Sequence, residues 1–376
     1  MAKGIYIGVN SVARKVKKIY IGIGGTARKV RKAYVGVGGV ARLIFSGAPE
    51  KVANPTPISV PKLGLRVAYT GNYVVMANGV NNSGYPLRPV EVYDTTLTKV
   101  TAADINSDRD GMAGATIGGY ACFVGGTWRD SASNFASMFR YDSALVRSTT
   151  SIPLAMAREN MAVARNTSYT FFLGGMQYND TYVRTAHAMS DSFAATSLAT
   201  LPSDITAGTT STVSTAAYAV FSTYNVAYDN ARVQISFSGP SVVGNTATGS
   251  LLKNYILFTG GNKPGTGVTN EVAVYDLNLT RVSTATLSAA IQRTMNISRD
   301  DYCIVAGGIV STFNTATRTV VSIDNYLVRD ALEDLDTGRL GGSCFNIGDY
   351  GGFAGGYYTW TGGGYDVTDV VEAYRF

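Results

Sequence analysis

Any chemistry in this chain would have to come from carboxylates. Asp108, Asp110, Glu159, Asp204, Asp300 and Asp301 each fall just ahead of an apolar run, where loops are expected to reach one face of the fold. Two carboxyl groups gathered at one site could act as the acid and base of glycoside cleavage. Their spacing selects no pair, and Asp scattered at turns is also what Asx-turn propensity alone produces. His187 is the sole histidine. Inside Arg184-Thr185-Ala186-His187-Ala188-Met189 it reads as a structural strand residue. One imidazole cannot make a histidine-rich metal site, and neither a Ser-His-Asp arrangement nor an HExxH pair is present. Cys122, Cys303 and Cys344 are widely spaced with no CxxC, and all lie in apolar runs, so they read as buried free thiols. Gly362-Gly363-Gly364 lacks the Lys-Ser/Thr that follows a phosphate loop. The sequence thus points to a non-enzyme with no metal and no cofactor.

Binding has better material. Tyr85, Trp128, Arg129, Tyr178, Tyr357, Tyr358 and Trp360 sit among Asn, Ser, Thr and Gly in stretches such as Asn81-Asn82-Ser83-Gly84-Tyr85 and Gln177-Tyr178-Asn179-Asp180. Amphipathic rings with small polar neighbours suit recognition of glycans or proteins. A second set is cationic: Arg14, Lys15, Lys17, Lys18, Arg28, Lys29, Arg31, Lys32 and Arg42, with Lys3, put ten Lys/Arg and no Asp or Glu into residues 1–46. The formal net charge is +6, yet the remaining residues hold 22 Lys/Arg against 26 Asp/Glu, or −4. An anionic partner should therefore meet the N-terminal arm. One Tyr per repeat is too regular for a nucleic-acid stacking platform, so nucleic acid is not the expected partner.

The elements carrying these residues are repeats of two lengths. Ile5-Tyr6-Ile7-Gly8-Val9-Asn10-Ser11-Val12-Ala13-Arg14-Lys15-Val16-Lys17-Lys18 is followed by Ile19-Tyr20-Ile21-Gly22-Ile23-Gly24-Gly25-Thr26-Ala27-Arg28-Lys29-Val30-Arg31-Lys32, and a third copy runs from Ala33 to Arg42. Alternation puts Ile5, Ile7 and Val9 on one face. Asn10-Ser11, Gly24-Gly25 and Gly38-Gly39 suit two-residue hairpin turns. This predicts that Val9 faces Val12 and Ile7 faces Arg14, and that six strands form a meander with one aliphatic side. Such a face needs a cover.

Beyond residue 63 an apolar run ends repeatedly in Gly-Gly, as in Cys122-Phe123-Val124-Gly125-Gly126, Phe171-Phe172-Leu173-Gly174-Gly175 and Ile256-Leu257-Phe258-Thr259-Gly260-Gly261. Second glycines at 126, 175, 261, 308 and 356 give steps of 49, 86, 47 and 48. The long step is a double unit containing the degenerate Tyr218-Ala219-Val220-Phe221-Ser222. Val74-Val75-Met76-Ala77-Asn78-Gly79 opens the series. A later strand in each unit ends in Tyr-Asp or a variant, as in Val90-Glu91-Val92-Tyr93-Asp94 and Val272-Ala273-Val274-Tyr275-Asp276. Seven units in the forties with four strands each predict an all-β fold, a seven-bladed β-propeller behind a small β-meander arm of three 14-residue hairpin repeats. The expected divisions are 1–46 for the arm, 47–62 for a linker and closing strand, and 63–376 for the propeller. The last unit stops at Val370-Val371-Glu372-Ala373-Tyr374-Arg375-Phe376, a third strand. Residues 51–61, with Pro57-Ile58-Ser59-Val60, are expected to supply its outer strand.

Gly-Gly after a second strand and Tyr-Asp after a third resemble the kelch repeat over roughly residues 50–376. Kelch propellers include enzymes, sugar binders and scaffolds, so the resemblance implies fold more than function. The fourth-strand Trp usual in kelch units is missing; Trp128 and Trp360 are expected in loops. The arm text resembles N-terminal segments of bacteriophage or prophage virion proteins, in the tail or decorating the capsid. That resemblance implies a structural protein whose arm binds other virion proteins or copies of itself, and whose propeller meets a host surface glycan or protein. It also implies location in the virion after synthesis in the host cytoplasm, in keeping with an N-terminus that lacks the continuous apolar stretch of a signal peptide. No run is long enough for a membrane helix. A carbohydrate-active propeller enzyme (glycosidase or lyase) and a cytoplasmic kelch adaptor are the alternatives.

Overall fold

A computed structural model describes residues 6–9, 12–15, 19–23, 26–30, 32–37, 40–128, 135–151, 157–177, 181–201, 211–222, 225–240, 247–263, 265–310, 316–361 and 364–376. The chain divides into two compact units, Met1–Glu50 and Lys51–Phe376.

In the first unit each 14-residue repeat is a hairpin: Tyr6–Val9 with Val12–Lys15, Ile19–Ile23 with Thr26–Val30, and Lys32–Val37 with Val40–Ser46. The register is the expected one, with Val9 opposite Val12 and Ile7 opposite Arg14. The second hairpin repeats it, with Ile21 opposite Arg28. Among the described residues, pairing stays inside each repeat, giving three two-stranded sheets where a continuous six-stranded meander was expected.

The second unit is a seven-bladed β-propeller. Seven four-stranded antiparallel sheets follow one another, with strands lying side by side in the order first to fourth. Blade 1 runs from Arg66–Thr70 to Lys99–Val100, blade 2 from Ala113–Ile117 to Arg147–Ser151, and blade 3 from Ala162–Arg165 to Ala195–Ser197. Blade 4 covers Thr212–Ser214 to Gln234–Ser236, blade 5 Thr248–Leu251 to Arg281–Thr286, and blade 6 Met295–Arg299 to Arg329–Ala331. Blade 7 starts at Ser343–Ile347. The first strands pack against one another in sequence, and that of blade 7 returns to that of blade 1.

Burial grades outward from the axis. First strands such as Ala113–Ile117 alternate buried and half-buried: Ala113, Ala115 and Ile117 are buried, while Gly114 and Thr116 face the first strand of blade 1 beside the axis. Second strands, flanked on both sides and covered on both faces, are buried almost throughout, as Tyr120–Val124 shows. That two-sided burial is why the second strand is the most legible apolar run of each unit. The core lies between blades: Ala68, Val75 and Ala77 of blade 1 meet Phe123, Phe139 and Tyr141 of blade 2.

The Gly-Gly pairs join neighbouring blades. Both residues take positive φ, +64° and +101° at Gly355 and Gly356. The second amide donates to a carbonyl on the loop entering the next blade: Gly126 to Arg158 O, Gly308 to Arg339 O and Gly356 to Lys62 O. A Cβ on Gly355 would stand 2.4 Å from Lys62 O, so the approach excludes any side chain.

The Tyr-Asp ends are turn devices. Asp94, Asp142, Asp229, Asp276 and Asp324 each accept backbone N–H groups two and four residues ahead through one carboxylate oxygen. The residue three ahead takes positive φ, at Leu97, Leu145, Arg232, Leu279 and Leu327. The tyrosines bury their rings, and two of them reach back to the preceding loop, Tyr93 to Thr56 O at 2.6 Å and Tyr141 to Ala103 O at 2.7 Å.

Blade 7 takes its fourth strand from Glu50–Lys51, outside Val371–Arg375. Of residues 51–61, expected to supply that strand, Lys51 does so, while Pro57-Ile58-Ser59-Val60 lies further in: Ile58 is buried and its N–H donates to Asp369 O. Prolines at 55, 57 and 61 leave that segment too few N–H donors for a ladder. Lys51 repeats the part of Lys99 in blade 1. Lys99 binds Glu91 at 2.9 Å from a fourth strand, and Lys51 binds Glu372 at 2.9 Å.

Candidate functional site

Most polar residues inside the propeller do structural work. Lys62, Arg109, Arg158 and Arg339 each stand four residues before a first strand and are almost wholly buried. Each donates to a carbonyl at the start of the third strand of its blade: Pro89 O, Ser137 O, Thr185 O and Val370 O. Two residues further on, the counter-group varies. Glu91 lies 3.1 Å from Lys62, the Phe139 ring centroid 4.5 Å from Arg109, His187 Nδ1 2.9 Å from Arg158, and Glu372 2.7 Å from Arg339. Burial pushes the Glu91 carboxyl up, but Lys62, Lys99 and the Ser59 amide together hold it below the usual range. For His187, burial and then the Arg158 charge press its pKa down to about 4. Arginine can only donate, so Nδ1 accepts and the ring is neutral. His187 is thus one of four answers to one buried cation. The Arg/Lys recurrence at 62, 109, 158 and 339 was a readable signal that the sequence reading passed over.

Because every sheet has the same strand order, the loops after the second strands open on one face, together with the loops entering each blade. Tyr85 and Trp128 lie there, 53% and 44% exposed. Tyr357 and Tyr358 are half-buried at the start of Tyr357–Thr361, which pairs with Gly364–Val367 as a hairpin of its own. Trp360 therefore belongs to a strand where a loop was expected, because the insert is long enough to pair with itself. Tyr182, 42% exposed, joins this face and was not foreseen. Arg129 and Tyr178 lie outside the described residues, as does Asp204.

Two cavities open among these groups. A groove of about 520 Å³ at the seam of blades 7 and 1 is lined by Val60, Pro61, Asn81, Asn82, Tyr358, Asp366 and Val367. Asn81 shapes its own loop by accepting the Ser83 and Tyr85 amides at 3.0 and 2.9 Å. A larger axial cavity of about 700 Å³ is bounded by the first strands of six blades. Glycine, serine and threonine dominate its wall, with Arg66, Arg293, Asn296 and Tyr357.

The carboxylates do not converge on it: among the described lining residues none is Asp or Glu. Asp108 is engaged by Arg88 in a two-pronged pair at 2.7 Å for each bond. Asp110 caps the Gly111 amide at 2.7 Å, and Glu159 borders the far side of Gly111. Asp300 and Asp301 were expected with the others on one face. They occupy the turn between the first and second strands of blade 6, hence the opposite face. Among the described residues no group of three or more His, Cys, Asp or Glu could hold a metal ion. Cys122 and Cys303 are buried free thiols, whereas Cys344, on a first strand facing the cavity, is only partly covered. No described helix is long and apolar enough to cross a membrane.

No family model matches the chain, and no curated protein matches it in sequence. Solved structures do: the structure of YjhT aligns over 85% of this chain and 96% of its own, with a TM-score of 0.53 and 15% identity. At that identity the likeness concerns the fold.

Proposed function

We propose that this chain is a non-enzymatic binding propeller. The loop face at the blade 7–blade 1 seam takes a host-surface glycan or protein, and the N-terminal hairpins fasten it to a larger particle such as a phage virion. The observation that carries the binding half is the seam groove, where a tyrosine face, two asparagine amides and one carboxylate share about 520 Å³. A ring for stacking with short amides and a carboxylate for hydroxyl groups is the chemistry by which sugars and polar loops are held. The anchoring half is supported by the arm's ten cations without a carboxylate and by its resemblance to virion repeats.

Glycan-array binding by the full-length protein, wild type against Tyr358→Ala and Asn82→Ala, tests the groove. Selective binding lost tenfold or more in both variants is the expected result; binding unaffected by either rejects the site. For the arm, replacing Arg28, Lys29, Arg31 and Lys32 by Gln in the full chain should abolish co-sedimentation with particles. Persistent co-sedimentation would remove the charge argument.

The enzyme alternative needs an acid and a base at one site. The axial cavity presents cations and hydroxyls instead, which favours binding.

A further inference from the structure

In blades 1, 2, 3, 6 and 7 the entering loop contains a position with positive φ one residue past the β-bridge that ties it to the loop after a second strand. Blade 1 has Gly64 there at +75°, blade 2 Gly111 at +65°, blade 3 Asn160 at +55° and blade 7 Gly341 at +65°. These are the residue types that tolerate the left-handed region. Blade 6 has Arg293, at +56°. A long cationic side chain is thus kept where the other described blades use glycine or asparagine, and strain of this kind gathers at functional positions.

Arg293 is exposed on the wall of the axial cavity. Its only protein partner among the described residues is the Tyr357 hydroxyl at 3.4 Å, a long contact that leaves most of its donors open. Arg66 lines the same cavity; it spends Nε on Met112 O at 2.9 Å and Nη2 on Asn160 Oδ1 at 3.5 Å. Asn296, 8% exposed, stands on this wall with Nδ2 bound to Ser250 and Thr259 at 2.9 and 2.8 Å, while its buried Oδ1 has no partner among the described residues. Ser211, Thr212 and Thr248 add hydroxyls. The cavity therefore offers cations to an oxyanion, serine and threonine hydroxyls to a hydroxyl, and about 700 Å³ of room, which suits a small ligand.

We propose that the axial cavity is a binding site for a small hydroxylated molecule carrying a carboxylate or sulfate group, with Arg293 as its principal anion contact. This site is separate from the seam groove and does not depend on it.

The test is isothermal titration of the full-length protein at low ionic strength with D-glucuronate, inorganic sulfate and D-glucose. The key variant is Arg293→Gly, which installs the residue blades 1, 2 and 7 already use. Its thermal midpoint should equal or exceed that of the wild type, so lost binding cannot be ascribed to unfolding. Glucuronate should bind the wild type at least tenfold more tightly than glucose and lose at least tenfold in Arg293→Gly. Tyr358→Ala should leave both values unchanged. Binding of sulfate without glucuronate would also support the site and assign its ligand to sulfate esters. Equal binding of glucose and glucuronate, equal binding by wild type and Arg293→Gly, or no binding of either anion would overturn the proposal.

Discussion

The single histidine makes stability between pH 7 and pH 5 a report on one buried contact. Arg158 Nη2 lies 2.9 Å from His187 Nδ1, and the imidazole is 2% exposed. Protonation would put a second cation against a buried guanidinium, and the pKa falls from 6.5 to about 4 through burial and then Arg158. The unfolded chain binds a proton as pH drops below 6.5, whereas the folded chain does not until about 4. Stability is therefore complete above 6.5 and is lost as pH falls towards 4, the direction in which the unfolded state holds more protons. Between pH 7 and pH 5 the loss comes to about 2 kcal/mol, rising to about 3 at the full shift. Most carboxylates remain ionised in that interval, so the change should belong to this residue. Urea denaturation at half-unit steps of pH measures it, with His187→Gln as the control that cannot titrate. The variant should be less stable at pH 7 but flat from 7 to 5. A flat wild type, or a variant that retains the slope, would refute both the neutral tautomer and the repeated cation slot that explains it.

Other outcomes follow from the ring closure. Gly355→Ala should cost about 3 kcal/mol by denaturation, combining the left-handed penalty with a Cβ 2.4 Å from Lys62 O. Gly119→Ala, at φ +82° with nothing within 4 Å, should cost only about 1. Equal effects would mean that the seam is not tightly closed. Glu372→Gln should destabilise by about 3 kcal/mol because it strands the buried Arg339, and Lys51→Met by less, because Arg339 still pairs with Glu372. The reverse order in a denaturation series would show that the fourth strand of blade 7 is held mainly by Lys51.

The legible parts of the fold are those where one backbone demand recurs from blade to blade. Gly-Gly appears in five blades because two left-handed residues and a close carbonyl meet at those seams, and Asn78-Gly79 takes the same conformation in blade 1. Tyr-Asp or a variant recurs because one carboxylate oxygen organises the outer turn in five blades, and the apolar second strand because it is covered on both faces. The cation slot was harder to see, since Glu91, Phe139, His187 and Glu372 share a place but no chemistry. The closing strand was placed only to within the segment before the first unit, because its pairing spans more than 300 positions and local alternation cannot report so distant a partner. Asp300 and Asp301 were put on the wrong face because a turn residue carries no mark of which end of its blade it occupies.

By itself, then, the sequence determined the all-β class, the seven units and the hairpin register of the arm, since periodic burial and turn geometry are local and repeat. Tertiary structure alone decided which loops share the seam groove, that the axial cavity is walled by arginines and hydroxyls without carboxylates among its described residues, and that Arg293 stands in a glycine's place. Those features arise when residues hundreds of positions apart meet around a closed ring, and no local pattern in the chain encodes that meeting.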